Sequence, residues 1–399
     1  MTTRVEHLTH QGLGHTAEGQ FVPRVLPGEE IELLEEGSAR ILTPSADRVA
    51  PPCRHFKSCG GCAMQHASDE FVAGWKVQTV VRALAAQGID APAPAIETSP
   101  PAARRRAKPS GRRTKKGTLV GFHGRGSDVL VEVPECKLLS PALMATLPAL
   151  HDLTAIAASR KGEIGLTVTA SLSGPDIQID TDKELTGELR IELAMLAQRH
   201  KIARLVWQDE QVVMIEPPHQ RFGRALVVPP AGAFLQATAE GEAALLKAVK
   251  AAVQGRARIV DLFSGCGTFA LPLAETSEIH AVEGEKAMVE ALDRGWREAQ
   301  GLKRVTTEAR DLFRRPLLPE ELSKFDAVVI DPPRAGAEAQ VAEIAASTVP
   351  LVAMVSCNPV TFARDAKALI AAGFRIESLV VVDQFRWSNH IEVAAKLVR

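Results

Sequence analysis

From about residue 240 the chain alternates runs of apolar residues with amphipathic stretches of helical period. EGEAALLKAVKAAV (240–253) predicts a helix and ARIVDLF (257–263) a buried strand, followed by a glycine loop and an apolar helix start. EIHAVE (278–283), a short run ending in ARD (309–311), FDAVVID (325–331) and VPLVAMVSC (349–357) predict further strands. A helix from Pro359 and two final strands close the chain. Strands separated by helices at this spacing predict a doubly wound, mainly parallel α/β sheet, which holds ligands at the carboxyl ends of its strands.

Upstream the pattern differs. Residues 117–235 carry strand-like runs (TLVGFHG, DVLVEV, IGLTVTA, DIQID, RLVWQD, QVVMIE, ALVVPP) around a helical stretch at 184–199, which predicts a mixed α+β domain. A helix is expected over Glu70–Gln87, and APAPAIETSPPAA after it reads as an extended linker. The first 47 residues hold short alternating runs broken by Gly and Pro, a small β-structure with a marginal core. The expected division is 1–47, 48–239 and 240–399.

A length of 399 residues suits two or three domains, and 46% hydrophobic with 24% charged residues is a globular composition. MTTRVEHLTH lacks the features of a signal peptide and no run approaches the roughly 18 apolar residues of a membrane span, so a cytoplasmic protein is expected. Net charge is -1, so any nucleic-acid binding must come from a local patch. Thr98–Ser127 contains no Asp or Glu but holds Arg104, Arg105, Arg106, Lys108, Arg112, Arg113, Lys115, Lys116 and Arg125.

Of six cysteines, Cys53, Cys59 and Cys62 lie within ten residues, Cys136 lies alone, and Cys266 and Cys357 belong to the carboxyl-terminal half. C-x5-C-x2-C plus a distant cysteine offers four soft ligands, which either zinc or an iron–sulfur cluster could occupy. The spacing is not the C-x3-C-x2-C of radical enzymes.

In DLFSGCGTFALPLA (261–274), Gly265 and Gly267 lie between a strand and a helix, where the backbone can approach a ligand closely. Glu283 ends the next strand, where a carboxylate can take both ribose hydroxyls of an adenosine, and Asp311 ends the third, within reach of an adenine edge. Phe269 and Ala270 break the full dinucleotide fingerprint. The loop therefore fits S-adenosylmethionine, which has no pyrophosphate, better than NAD.

Asp331-Pro-Pro-Arg334 closes one apolar run, and Ser356-Cys357-Asn358-Pro359 closes the next. Asn358 and Pro359 suit the cap and first turn of a helix with an inner face of Phe362, Ala366, Leu369 and Ile370. A thiol at that helix start is expected to have a lowered pKa and to serve as a nucleophile.

DLFSGCGTFALPLA, VVIDPPRAG, SCNPVTFARD and the terminal HIEVAAKL, in this order, resemble the 5-methyluridine RNA methyltransferases, which methylate uracil C5 in rRNA or tRNA. The resemblance runs from about Pro51 to the carboxyl terminus. It implies a Rossmann-like class I methyltransferase domain using S-adenosylmethionine, with Phe263, Gly265, Gly267, Thr268, Glu283, Asp311 and Asp331 at the cofactor. It implies Cys357 as the nucleophile on uracil C6, Glu392 of His390-Ile391-Glu392 as the base that removes the C5 proton, and Asp331 and Arg334 at the target base. GAFLQAT resembles the family's Phe-x-Gln segment, which puts Gln236 at the cofactor and Phe234 on the wall of the target pocket; the family often has Asn where this chain has Thr238.

CRHFKSCGGCAMQH with Cys136 resembles the [4Fe-4S] site of the rRNA-directed members, with Cys53, Cys59, Cys62 and Cys136 as ligands. Residues 1–47 resemble a shortened form of the family's RNA-binding β-barrel, TRAM, so Arg104, Arg105 and Arg106 of the basic stretch are expected to contact RNA phosphate. The expected protein is a 23S rRNA uridine-C5 methyltransferase; the alternatives are a tRNA enzyme and a noncatalytic RNA-binding protein of the same fold.

Overall fold

A computed structural model describes residues 2–160 and 162–399; Met1 of the expected amino-terminal segment lies outside them. Among the described residues, the carboxyl-terminal half builds one of two eight-stranded sheets. Its order is Val305–Ala309, Glu278–Glu283, Arg258–Leu262, Ala327–Ile330, Leu351–Ser356, Glu392–Val398, Arg375–Asp383, Ala95–Thr98. The first five strands pair in parallel, and Glu392–Val398 runs antiparallel to both of its neighbours. AVVI (327–330) and LVAMVS (351–356) are buried throughout, as central strands covered by helices on both faces must be.

Two apolar cores lie against this sheet. One joins Val328, Ile330, Val352 and Met354 to Phe362, Ala366 and Leu369 of the helix Pro359–Ala371, and to Val80 and Leu84 of the helix Asp69–Ala86. The other joins Ile259, Val329 and Ala353 to Leu245 and Val249 of the helix Ala239–Ala252 and to Leu292 of the helix Lys286–Glu298.

The expected boundary at residue 240 is therefore crossed by two earlier elements. Asp69–Ala86 packs into the carboxyl-terminal core, and Ala95–Thr98, expected as linker, pairs in parallel with Val380–Asp383 at the sheet edge. The prolines of this run flank AIET without interrupting it, and an edge strand tolerates such neighbours.

The central region is the second eight-stranded sheet, ordered Leu130–Val131, Gly117–His123, Ser110–Thr114, Glu163–Ser171, Gly174–Asp180, Arg204–Trp207, Glu210–Met214, with Arg106–Ala107 also pairing with Glu163–Ser171. The helices Leu147–Ala157 and Gly187–Arg199 cover it around Leu153, Leu193 and Trp207. The first of these helices and Glu338–Ala346 are not anticipated by the hydrophobic pattern. The amino-terminal residues form a five-stranded antiparallel sheet around Val5, Val22, Val25 and Ile31.

Candidate active site

The carboxyl ends of the parallel strands meet at one edge, where the glycine loop, the Asp331 turn and the Cys357 turn lie side by side. Gly265 and Gly267 adopt φ of 55° and 99°, and Phe263 between strand and loop adopts 61°. A side chain at Gly265 would project into open space, whereas one at Gly267 would strike Leu271 and Leu292. Gly267 thus serves packing and Gly265 leaves a cradle. The Gly265 amide donates to Glu283 Oε2 at 3.0 Å and the Glu285 amide to Oε1 at 2.9 Å, which fixes the carboxylate beside that cradle.

Asp261 beneath the loop is fully buried, and neither of its oxygens makes a hydrogen bond of normal geometry. Burial, then the Asp331 carboxylate, hold it well above the ordinary carboxylate range. The Ser264 hydroxyl is likewise buried without a partner. Phe263 packs against Phe313 with ring centres 5.4 Å apart, and Asp311 accepts from the Phe313 amide at 3.0 Å. Orphaned acceptors and a hydroxyl beside a glycine cradle fit a polar adenosyl ligand. Thr268 is half-buried in the same loop, and Cys266 points into the apolar core.

Asn358 caps the helix Pro359–Ala371 as expected, its Oδ1 accepting from the Val360 amide at 3.0 Å. Its Nδ2 donates to the Arg334 carbonyl at 3.0 Å, tying the Cys357 turn to the Asp331-Pro-Pro-Arg334 turn. The Arg334 guanidinium contacts His390 Nδ1. Cys357 lines a cavity of about 520 Å³ with Arg334, His390 and Arg82, bounded on its far side by His7–Gln11 of the amino-terminal sheet.

The thiol does not have the expected low pKa. Burial, then the Glu392 and Asp331 carboxylates, push Cys357 up to about 11. A helix terminus contributes on the order of 1 kcal/mol, less than burial beside two carboxylates. Glu392 is only 3% exposed. Burial and Asp331 push it up to about 8, while the Gln384 amide, Arg334 and Lys76 pull the other way. Burial pushes Asp331 up to about 7.

Gln236 Nε2 lies 3.4 Å from Asp331 Oδ2, and Gln384 Nε2 donates to Gln236 Oε1 at 2.5 Å. Phe234, two residues before Gln236, is 59% exposed. Thr238 caps the helix Ala239–Ala252 through the Gly241 amide at 2.9 Å and shares a 2.7 Å hydrogen bond with Ser99. It therefore serves the backbone here.

The basic run requires a correction. Arg105 is half-buried and pairs with Glu242 at 2.5 Å and donates to the Gln236 carbonyl at 3.0 Å, while Arg106 donates to the Gly232 carbonyl at 2.8 Å. Lys108 pairs with Asp180 and Arg112 with Glu163. Acids from other elements complete a segment that lacks its own, and the chain continues as the strand Ser110–Thr114. Arg104 differs: it packs over the Phe385 ring at 5.6 Å and lines a cavity of about 660 Å³ with all four clustered cysteines.

Cys53, Cys59, Cys62 and Cys136 thus face one space; burial, then Cys136 and Cys53, raise Cys59, and burial, then the other three thiols, push Cys62 up to about 12. The amides of Ala63 and Met64, next to Cys62, both donate to the Trp387 carbonyl, at 2.7 and 2.9 Å. The cysteine loop is thereby joined to the segment that leads into Glu392.

A doubly wound sheet with an adenosyl cradle at its carboxyl edge defines a class I methyltransferase fold. Residues 224–399 match the family described as tRNA (uracil-5-)-methyltransferase. An RNA methyltransferase of Brucella suis is 43% identical over 97% of this chain and 95% of its own length. The 23S rRNA (uracil(1939)-C(5))-methyltransferase RlmD of Chromohalobacter salexigens is 32% identical over 99% and 88%. The tRNA (uracil-54, C5)-methyltransferase of Pyrococcus abyssi, solved with S-adenosyl-L-homocysteine, superposes with a TM-score of 0.77 at 20% identity, covering 100% of this chain and 99% of that one. The chain belongs to the S-adenosylmethionine-dependent RNA uracil-C5 methyltransferases.

Proposed function

We propose that this enzyme methylates C5 of a uridine in 23S rRNA through a covalent adduct on Cys357. The observation that carries this reading is the convergence of Cys357, Glu392 and Asp331 on one edge, Asp331 raised by burial and Glu392 by burial and by Asp331. Uracil C5 is a weak nucleophile. Bonding Cys357 Sγ to C6 shifts the C5–C6 pair toward C5 and O4, and the thiol proton passes to the Asp331 carboxylate, which leaves Glu392 free for the later step.

S-adenosylmethionine supplies the methyl group to that carbon. Asp261, Ser264, Gly265, Glu283, Asp311 and Phe263 are the residues that would hold the cofactor, with Gly267 and Thr268 shaping the loop and Gln236 and Asp331 lying between cofactor and base. Ionised Glu392 then takes the C5 proton, the C5–H pair restores the double bond, and the C6–Sγ bond breaks to release the thiolate. Phe234, Arg334 and Arg104 would face the RNA, whose target base must leave its stack to reach Cys357.

Cys53, Cys59, Cys62 and Cys136 would hold a [4Fe-4S] cluster. Four thiols lining one cavity fit such a group. The cysteine set, together with the likeness to an rRNA enzyme along nearly the whole chain, favours 23S rRNA over tRNA and a cytoplasmic setting. The five-stranded amino-terminal sheet, the central sheet and the carboxyl-terminal sheet act as RNA-binding, cluster-bearing and catalytic parts. The test is cofactor-dependent tritium release from 23S rRNA and tRNA transcripts labelled at uracil C5. Release from the 23S transcript alone supports the reading, and release from tRNA alone overturns the substrate assignment.

A further inference from the structure

The helix Asp69–Ala86 sends one lysine into the interior. Lys76 is 0% exposed, in a stripe with Val72, Val80 and Leu84. Its Nζ donates to Asp383 Oδ1 at 2.6 Å, to the Phe385 carbonyl at 3.2 Å and to the His390 carbonyl at 2.9 Å. Three acceptors match the three donors of an ammonium group.

These acceptors sit at both ends of one connection. Asp383 ends the strand Arg375–Asp383, His390 lies just before Glu392, and Val382 pairs in register with Glu392 across the hairpin. One side chain therefore closes the mouth of the loop that carries the base. Burying an ion pair contributes little stability compared with apolar residues of the same volume, so packing alone does not call for a charge here. The helix also lies outside residues 224–399, which match the family profile.

We propose that Lys76 is a positioning residue for Glu392: it holds the loop 384–391 closed so that the carboxylate stays aimed at the target base. Lys76 acts through Glu392, so the inference rests on Glu392 being the group that removes the C5 proton. The other titratable or charged groups facing Glu392 are Asp331 and Arg334 from the Asp-Pro-Pro-Arg turn and Cys357 from the next turn. Asp331 disfavours the ionised base, and Arg334 and Lys76 favour it. Removing Lys76 leaves only Arg334 and the Gln384 amide to oppose Asp331.

The test compares cluster-loaded, full-length Lys76→Met, Lys76→Met/Asp383→Asn and Glu392→Gln with the native protein on a 23S transcript. Melting is followed by circular dichroism, the first turnover by S-adenosylhomocysteine formed, and the adduct by its resistance to denaturation. In Lys76→Met we expect the first turnover to persist within a few fold, multiple turnover to fall roughly 10²-fold as for a misplaced catalytic group, and adduct to accumulate. The acid limb of tritium release should move to higher pH. If the lone Asp383 unfolds the single variant, the double variant, which buries no unpaired charge, carries the same expectation. A folded variant with the native pH limb and no adduct, beside a Glu392→Gln control that does accumulate adduct, overturns the role of Lys76. A Glu392→Gln control without adduct removes the base assignment, and the inference with it.

Discussion

Gln384 donates its side-chain amide to Gln236 Oε1 at 2.5 Å, while its own Oε1 accepts the Ala237 amide at 2.8 Å. Gln236 in turn reaches Asp331. The pair joins the base loop to the Phe-x-Gln segment and aligns the two carboxylates from opposite sides. Gln384→Ala removes this link and leaves the buried Ala237 amide unpartnered. We expect turnover to fall by about 10²-fold, with cofactor affinity changed far less. Steady-state kinetics and calorimetry on the same preparation check this.

Arg105 and Glu242 separate a structural from an RNA-contacting role. Because the pair is largely withdrawn from water, Arg105→Met leaves a half-buried carboxylate without its partner and should lower stability by about 2 kcal/mol. The slope of log affinity against log salt for RNA should stay at its native value, since that slope counts phosphate contacts. Denaturant titration and filter binding at several salt concentrations decide it.

The raised carboxylates weaken the fold as pH rises. A carboxyl group with a folded-state pKa above its ordinary value binds protons more tightly when folded, so stability declines as pH increases between the two values. For Glu392 that window runs from 4.5 to about 8, and for Asp331 from 3.8 to about 7. The melting temperature of the unliganded protein should therefore fall across this range. Glu392→Gln removes its share of the decline and should melt roughly 2–4 °C higher near pH 8, although it cannot turn over. Calorimetric scans from pH 5 to about pH 8 measure both.

Loss of the cluster should be felt at the base loop. The Ala63 and Met64 amides donate to the Trp387 carbonyl, so a loosened cysteine loop releases that anchor. Cys136→Ser should lose the visible absorption of the cluster, and the amides of 63–64 and 387–390 should exchange hydrogen faster than in the native protein. Unchanged exchange in cluster-free protein would show that the two loops are independent.

Much of this was legible along the chain. The parallel strands read clearly because both faces are covered, giving unbroken apolar runs, and Asn358 with Pro359 marked the helix start where it occurs. The candidate residues Cys357, Glu392, Asp331 and Gln236 meet at one edge. Ala95–Thr98 was hidden because flanking prolines imitate a linker, and its pairing depends on a strand nearly three hundred residues away. The charge of Arg105 looked free because its partner Glu242 lies 137 residues further along the chain. The Cys357 thiol was misjudged because a helix start is visible locally and two converging carboxylates are not. Lys76 left a signal that can be read afterwards: a lysine standing in an otherwise apolar i, i+4 stripe.

The division of labour between Cys357 and Glu392 is the centre of this account. The most direct test incubates native enzyme, Glu392→Gln and Glu392→Gln/Cys357→Ala with S-adenosylmethionine and a 23S transcript, then digests the RNA and weighs the denatured protein. The account predicts that Glu392→Gln alone carries a stable nucleotide whose mass includes the transferred methyl group, attached at Cys357. Unmodified Glu392→Gln protein with normal turnover, or a nucleotide retained when Cys357 is replaced, would contradict it.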